Sequence, residues 1–383
     1  MTGPGPTAGL EPPLLALRET IGEIAPDLRR RALAIDAAPA DMAPHLGSPA
    51  FRAICEATVP KRFRTGPTVF DDVETESYLA RIVATVELSR GDPGVLTASP
   101  GPSLAGVVVD ALGSEEQREF FYRAVAEGPL WTFFGMTEPD RGTDGTAVET
   151  TLTKCGSGDY LLSGAKRYIS NGARGAIGVV FARTGPSPLS LRAALIRQPA
   201  PGLSTRPLEM LGLRGAYLSE LRFEEVRVPA GMVLGSHLPL SRRGTWGIAR
   251  TFNIMRVHIG AMAIGLAYAA YDYVASHLPG APGHRRQAAR LDAARQLLYD
   301  AAAGADHDPD DAYRPSVAKL HCTALAIGVV RWAVVALGPG SLLAHPLLEK
   351  WRRDAYAFEF MDGTTNVQRL RIARTVETGR SER

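Results

Sequence analysis

Residues 130–235 differ in pattern from the chain on either side, and this interruption limits the possible folds more than any other feature. LWTFFG, ETTLTK, DYLLSGAKRYIS, AIGVVFAR, LRAALIRQ and SELRFEEVRVP are short, rich in β-forming residues, and separated by Gly, Pro, Asp and Ser. That texture predicts an antiparallel β domain, with a hairpin at the GSGD turn of 156–159. Residues 14–127 instead carry apolar residues at helical spacing, as in LLALRETIGEIAPDLRRRALAI and in ESYLARIVATVELSR at 76–90. Ser114 and Gln117 form an S-x-x-Q capping box that opens EEQREFFYRAVAEG. From 240 onward the helical spacing returns. FNIMRVHIGAMAIGLAYAAYDYVASH has so little charge that its helix must be buried nearly all round. LPGAPG at 278–283 ends it, and three further helical patterns follow. The expected fold class is therefore α+β, divided as 1–129 helical, 130–237 a β barrel or sandwich, and 238–383 a helical bundle.

Charge and cysteine content remove several function classes. A net charge of +3 over 383 residues gives no field suited to nucleic acid. No 18-residue apolar run is free of charges or helix breakers, so no membrane partner is expected. The opening MTGPGPTAGLEPP has neither the charged nor the apolar region of a signal peptide. Cys55, Cys155 and Cys322 are scattered and odd in number, which suits a reducing cytoplasm and leaves no metal-ligand spacing. The basic residues are unequal, 38 Arg to 5 Lys, which reads as compositional bias.

Four stretches carry possible chemistry. FFGMTEPDRGTDGT (133–146) leaves a strand and enters a loop with hydroxyls at Thr137 and Thr143. On residue types alone an ordinary turn is the commoner reading. SGAKRYISNGARG (163–175) offers the Tyr168 ring and the Ser170 hydroxyl, although a plain strand-end tyrosine is again commoner. LRFEEVRVPAGMVLG (221–235) is an alternating strand with a Pro exit. FMDGTTNVQRLR (360–371) places one carboxylate, Asp362, at a break between helical patterns, where Asp-Gly favours a cap or turn.

Taken together, these stretches resemble the acyl-CoA dehydrogenase family of flavoproteins. Met136-Thr137-Glu138-Pro139 with Gly142-Thr143-Asp144 is similar to its TEP-x-x-G-[ST]-D loop. Gly164, Lys166, Tyr168, Ile169, Ser170 and Asn171 match a second motif. Phe223, Val226, Val228, Pro229, Leu234 and Gly235 match a third. Arg353-Asp354 followed by Asp362-Gly363-Thr364 matches the last. The resemblance runs in family order from about residue 76 to 375. It implies an N-terminal helical domain, a middle β barrel, a C-terminal four-helix bundle, and FAD held between the last two.

The resemblance also implies roles. Phe134, Met136, Thr137 and Thr143 would line the flavin and thioester. Tyr168 would pack beside the flavin ring, with Ile169 next to it and the Ser170 hydroxyl near N5. Thr364 and Asn366 would contact FAD. Arg256 and Gly363 would lie on the substrate side. Asp362 would be the base that takes the α proton of an acyl thioester, while hydride leaves the β carbon. The family usually has Glu there, and its other base position is Met255 in this chain. HLPGAPGHRRQ lacks the family's Phe-Gly segment, and Val335 replaces a Gln, so the adenosine side of FAD and the usual tetramer contacts diverge. The implied partners are a thioester on CoA or a carrier protein, an electron-acceptor protein or oxygen, and a second copy of the chain as a homodimer or homotetramer. The divergence points to a specialised acyl group on a carrier protein in natural-product assembly. The alternatives are an oxidase or monooxygenase on the same fold, or a degenerate homologue that binds a carrier protein without turnover.

Overall fold

The computed structural model describes residues 10–66, 68, 70–71, 75, 77–142 and 147–377. Six helices come first: α1 (Pro12–Ala37), α2 (Pro49–Thr58), α3 (Tyr78–Gly91), α4 (Pro93–Ala98), α5 (Ser103–Leu112) and α6 (Glu115–Ala126). Several starts have a local cause. Pro12 begins α1, where a missing N–H costs nothing. Ser48 and Ser77 cap α2 and α3 by accepting from Phe51 N and Ala80 N. The Ser114/Gln117 capping box that opens α6 has both of its hydrogen bonds. The inward side chains of α1, from Leu14 and Leu17 through Ile21 to Leu28 and Ile35, follow the helical period and are buried.

Seven strands follow: β1 (Thr132–Gly135), β2 (Thr151–Lys154), β3 (Tyr160–Ile169), β4 (Ile177–Arg183), β5 (Leu191–Arg197), β6 (Leu203–Pro207) and β7 (Ser219–Val228). They form one curled sheet in the order β1-β4-β2-β3-β7-β6, with β5 on the other flank of β4. The sheet is mixed and so departs from the antiparallel expectation. β1 runs parallel to β4, with Thr132 opposite Ile177, and β2 meets β4 in parallel at Thr151–Arg183. Strand period shows which face a residue occupies but not the direction of the strand beside it. No hydrogen-bonded pairing joins β6 back to β1 or β5 among the described residues, so the sheet curls without closing into a barrel.

The remaining helices are α7 (Gly244–His277), α8 (His284–His307), α9 (Tyr313–Ala336), the single turn α10 (Ser341–Ala344), α11 (Pro346–Ala357) and α12 (Thr365–Glu377). Packing crosses the divisions in sequence texture. Ile82, Val83 and Val86 of α3 share one core with α7, α8, α9 and α11. Val108 and Val109 of α5 share another with the sheet residues Val179 and Phe181. α3 and α7 approach closely at Gly265, where a Cβ would meet Ser89 Cβ and lie 2.5 Å from Val86 O. α7 and α9 are each long and apolar enough to cross a membrane, unlike the expectation from uncharged runs, which rejected every segment with a charge. The apolar stretch of α7 is 78 % buried inside the protein, so burial on all sides accounts for its composition.

A buried charge cluster ties the parts together. Lys350 on α11 donates to Asp92, the N-cap of α4, at 2.8 Å and to Asp354 at 2.6 Å. Trp351 Nε1 also donates to Asp92, and Leu213 N, in the β6–β7 connection, donates to Asp354 at 2.6 Å. The neighbouring Arg353 reaches Asp36 on α1 at 2.7 Å. The Arg353-Asp354 pair of the last motif is thus a structural clasp.

Candidate active site

Asp362 lies between α11 and α12 with φ of 49°, in the left-handed region that Asp tolerates better than most residues. Gly363 follows at φ 92°. The cap of α12 is not Asp362 but Thr364, whose Oγ1 accepts from Val367 N at 3.4 Å. The Asp362 carboxyl makes no hydrogen bond to a described residue. It lies deep in the protein, although the residue keeps some contact with solvent. Burial pushes its pKa above the usual carboxylate range, and the charges of Lys319 and Arg256 pull it part of the way back. This is the environment a proton-accepting carboxylate needs: no described residue hydrogen-bonds it, and burial makes ionisation harder while Lys319 and Arg256 oppose that effect.

Lys319 holds that turn in place. Its Nζ donates to the carbonyls of both Met361 and Gly363, on either side of Asp362. Burial lowers its pKa to about 8, against the pull of Asp362 in the other direction. Gln368 Nε2 also donates to Gly363 O at 2.9 Å, which occupies that carbonyl and leaves Gly363 only its N–H to offer a substrate. Arg256 is buried on α7, donates to Asn253 Oδ1 at 2.6 Å, and has its pKa lowered to about 9, chiefly by burial. Sequence motifs did not point to Lys319. A usable signal was the scarcity of lysine: of five in the chain, Lys166, Lys319 and Lys350 are buried. A compact ammonium fits between two carbonyls where a planar guanidinium does not.

The sheet contributes the other predicted residues. Phe134 meets Phe181 edge-on at 5.8 Å and Phe252 of α7 at 6.3 Å, so it spans the sheet–bundle junction. Met136 is buried in the sheet core and Thr137 is partly exposed beside it. The loop they enter is pinned by a buried pair: Lys166 Nζ donates to Glu138 at 2.8 Å and to Met136 O at 3.2 Å. Glu138 also accepts from Thr150 N at 2.9 Å. Thr143 lies outside the described residues. Tyr168 has φ of 62° at an irregularity in the β3–β7 pairing and presents its ring 52 % exposed, with Arg167 over one face. A large aromatic held outward in strained backbone is available to a planar ligand. Ser170 is partly exposed next to it. The Ile169 side chain, by contrast, is buried in the sheet core, so only its backbone can face a cofactor. A strand alternates faces, and the motif contains both. Asn366 is exposed and engaged with Arg369 at 3.3 Å.

The family model described as acyl-CoA dehydrogenase, C-terminal domain, matches residues 242–377, and the middle-domain model matches 133–226. A probable acyl-CoA dehydrogenase of Bacillus subtilis is 30 % identical over 79 % of this chain and 82 % of its own. This chain belongs to the acyl-CoA dehydrogenase family. The human mitochondrial short-chain specific acyl-CoA dehydrogenase is 30 % identical over 77 % of this chain and 75 % of its own. Among solved structures, butyryl-CoA dehydrogenase of Megasphaera elsdenii superimposes with a TM-score of 0.83 at 24 % identity, covering 96 % of this chain and 99 % of the other. The prolyl acyl carrier protein oxidase AnaB has the same fold at a TM-score of 0.80 and 23 % identity, over 96 % of this chain and 99 % of its own. The family consists of flavin-dependent oxidoreductases that act on acyl thioesters, with FAD as cofactor.

The residues present suit a flavin. Among the buried polar atoms without a hydrogen-bond partner in the described residues, two lie on α7, Thr251 Oγ1 and Arg256 Nε, and two on α12, Thr365 Oγ1 and Gln368 Oε1. Stranded groups of this kind cost stability unless a ligand pairs with them. Those on α12 follow Asp362 in the chain, and Arg256 of α7 bears on its charge.

Proposed function

We propose that this enzyme dehydrogenates an acyl thioester with Asp362 as the base for the α proton. The observation that carries this reading is the Asp362 carboxyl itself, deep, without a hydrogen-bond partner among the described residues, and held on a turn whose two carbonyls are clamped by Lys319. FAD supplies the acceptor for the hydride from the β carbon. The chain's own contribution is to place a carboxylate of raised pKa beside the α carbon and to balance its charge with Lys319 and Arg256. Tyr168, Thr137, Ser170, Phe134, the α12 cap Thr364 and the first α12 residue Thr365 would bind FAD in this reading. Both CoA and carrier-protein thioesters are candidates, and likeness to a carrier-protein oxidase supports testing the second. A specialised acyl group from natural-product assembly and a cytoplasmic location fit the divergent motifs and the free cysteines.

The test is anaerobic mixing of FAD-loaded protein with acyl thioesters on each carrier while flavin absorbance is followed. Wild type should bleach with at least one carrier. Asp362→Asn should keep FAD and bind the thioester but bleach about 10² to 10⁴ times more slowly. Bleaching at the wild-type rate would remove Asp362 from the mechanism. Adding an electron-transfer protein or oxygen to the reduced enzyme identifies the acceptor. Exposed Val335, Leu343 and Phe360 support self-association as a homodimer or homotetramer, which sedimentation would measure.

A further inference from the structure

The acids of this chain avoid two long stretches. No Asp or Glu occurs between Asp159 and Glu209, or between Glu225 and Asp272. Folding brings these stretches together at the start of α7. The turn Pro188–Ser190, between β4 and β5, and the turn Leu240–Arg242, just before α7, both contact that helix. Thr245 Oγ1 donates to Pro188 O at 3.1 Å. Gly244 lies so close to Leu191 that a Cβ would stand 2.2 Å from its carbonyl oxygen.

The face so formed carries positive charge that pairs with no acid among the described residues. Arg192 donates to the carbonyls of Leu189 and Leu191 at 2.7 and 2.8 Å. Arg243 donates to those of Leu238 and Ser236 at 2.7 and 3.1 Å. Carbonyls hold these guanidinium groups in place without cancelling their charge. Burial, and then the charge of Arg243, lower the pKa of Arg192, so the two cations are near enough to repel. Arg242 is exposed and lies over the Trp246 ring at 5.7 Å. Two bare leucines share the two turns, Leu189 at 56 % and Leu240 at 55 % exposed.

Beneath this face is the apolar cluster that holds two of the predicted flavin-lining residues. Leu191, Leu238 and Trp246 pack in one cluster with Phe134, Met136 and Phe252. From Trp246 to Arg256, whose charge acts on Asp362, α7 rises about 15 Å, a span that an extended pantetheine arm covers.

We infer that this face docks an acidic carrier protein, which delivers its thioester on a pantetheine arm. This rests on the dehydrogenase reading above. A nucleotide would answer the guanidinium groups but leave Leu189 and Leu240 in water. An amphipathic helix with acids around an apolar stripe answers both, with charge steering the encounter and the leucines giving an apolar centre.

The test places butyryl and prolyl groups on pantetheine, on CoA and on an acidic acyl carrier protein, and follows anaerobic flavin bleaching of the FAD-loaded enzyme. Calorimetry with the unacylated carrier protein reads docking apart from turnover. The carrier-protein thioester should show kcat/KM about tenfold or more above the pantetheine thioester, and high salt should remove the gain. Arg242→Glu and, separately, Leu240→Ser should each raise KM several-fold for the carrier-protein thioester and weaken docking, while the pantetheine thioester is unchanged. Arg286→Glu, on α8, should alter none of these, and FAD content confirms that each variant is folded. No advantage of the carrier protein over pantetheine would overturn the inference. So would equal weakening of all three carriers by Arg242→Glu, or a preference for CoA that Arg242→Glu removes, which would make the face a nucleotide site. If the carrier protein docks and Arg242→Glu weakens it, but no thioester bleaches the flavin, the dehydrogenase reading falls and the docking face stands. If pantetheine and carrier-protein thioesters bleach equally well, only this inference falls.

Discussion

Asp362 sits one methylene short of the family's usual glutamate, and its backbone explains part of that choice. At φ 49° a short polar side chain is better tolerated than a longer one, and Lys319 fixes the turn from both sides. The protonation state follows from the same contacts. A base at Asp362 must be ionised to act, so under the proposed reading the rate should fall as pH drops through its raised pKa. Lys319 lowers that pKa, so removing its charge must raise it. Lys319→Met should therefore move the acid limb of the kcat/KM profile to higher pH while the FAD spectrum persists. An unmoved limb would mean that Lys319 only holds the turn. Tyr168→Ala should loosen FAD several-fold, measured by equilibrium dialysis, because it deletes the one large exposed ring that the sheet presents at this edge.

At the scale of elements, α7 does most to organise the site. One helix packs against α3 and α9 and meets the sheet through Phe252, and it also brings Arg256 to Asp362. Its near-absence of charge is the mark of a helix surrounded by others. The contact with α3 depends on Gly265. Gly265→Ala should destabilise the protein by about 1–3 kcal/mol, because a methyl there meets backbone and Ser89 that cannot both move aside. Chemical denaturation should show a lower midpoint with an unchanged slope. The sheet offers a parallel lesson. Its strands and the α6 capping box were readable from local pattern, whereas the parallel β1–β4 pairing was not, since register and direction depend on partners distant in sequence.

For the whole molecule, stability rests on buried charge as well as on apolar packing. Lys350 bridges Asp92 and Asp354 in the interior, out of contact with bulk water. Both acids raise its pKa despite burial, and burial raises that of Asp354. Lys350→Met would strand two acids in the interior, at a cost of about 3–5 kcal/mol. Its melting temperature should fall by several degrees, and Asp92→Asn should fall less, because it leaves one acid paired. A melt unchanged in Lys350→Met would mean that the cluster is neutral as a unit.

Sequence by itself determined the order of helical and β-rich regions, the capping at Ser114, the family, the cofactor and the position of a lone carboxylate. Each depends on local spacing or on motifs contiguous in the chain. Only the tertiary structure decided which motif residues hold the scaffold. Lys166 and Glu138 became a buried pair, Arg353 and Asp354 a clasp, and Ile169 part of the sheet core. It also supplied Lys319, which lies 43 residues before Asp362 in the chain and next to it in space. Burial and charge balance depend on neighbours brought together by folding, and no spacing in the chain records them.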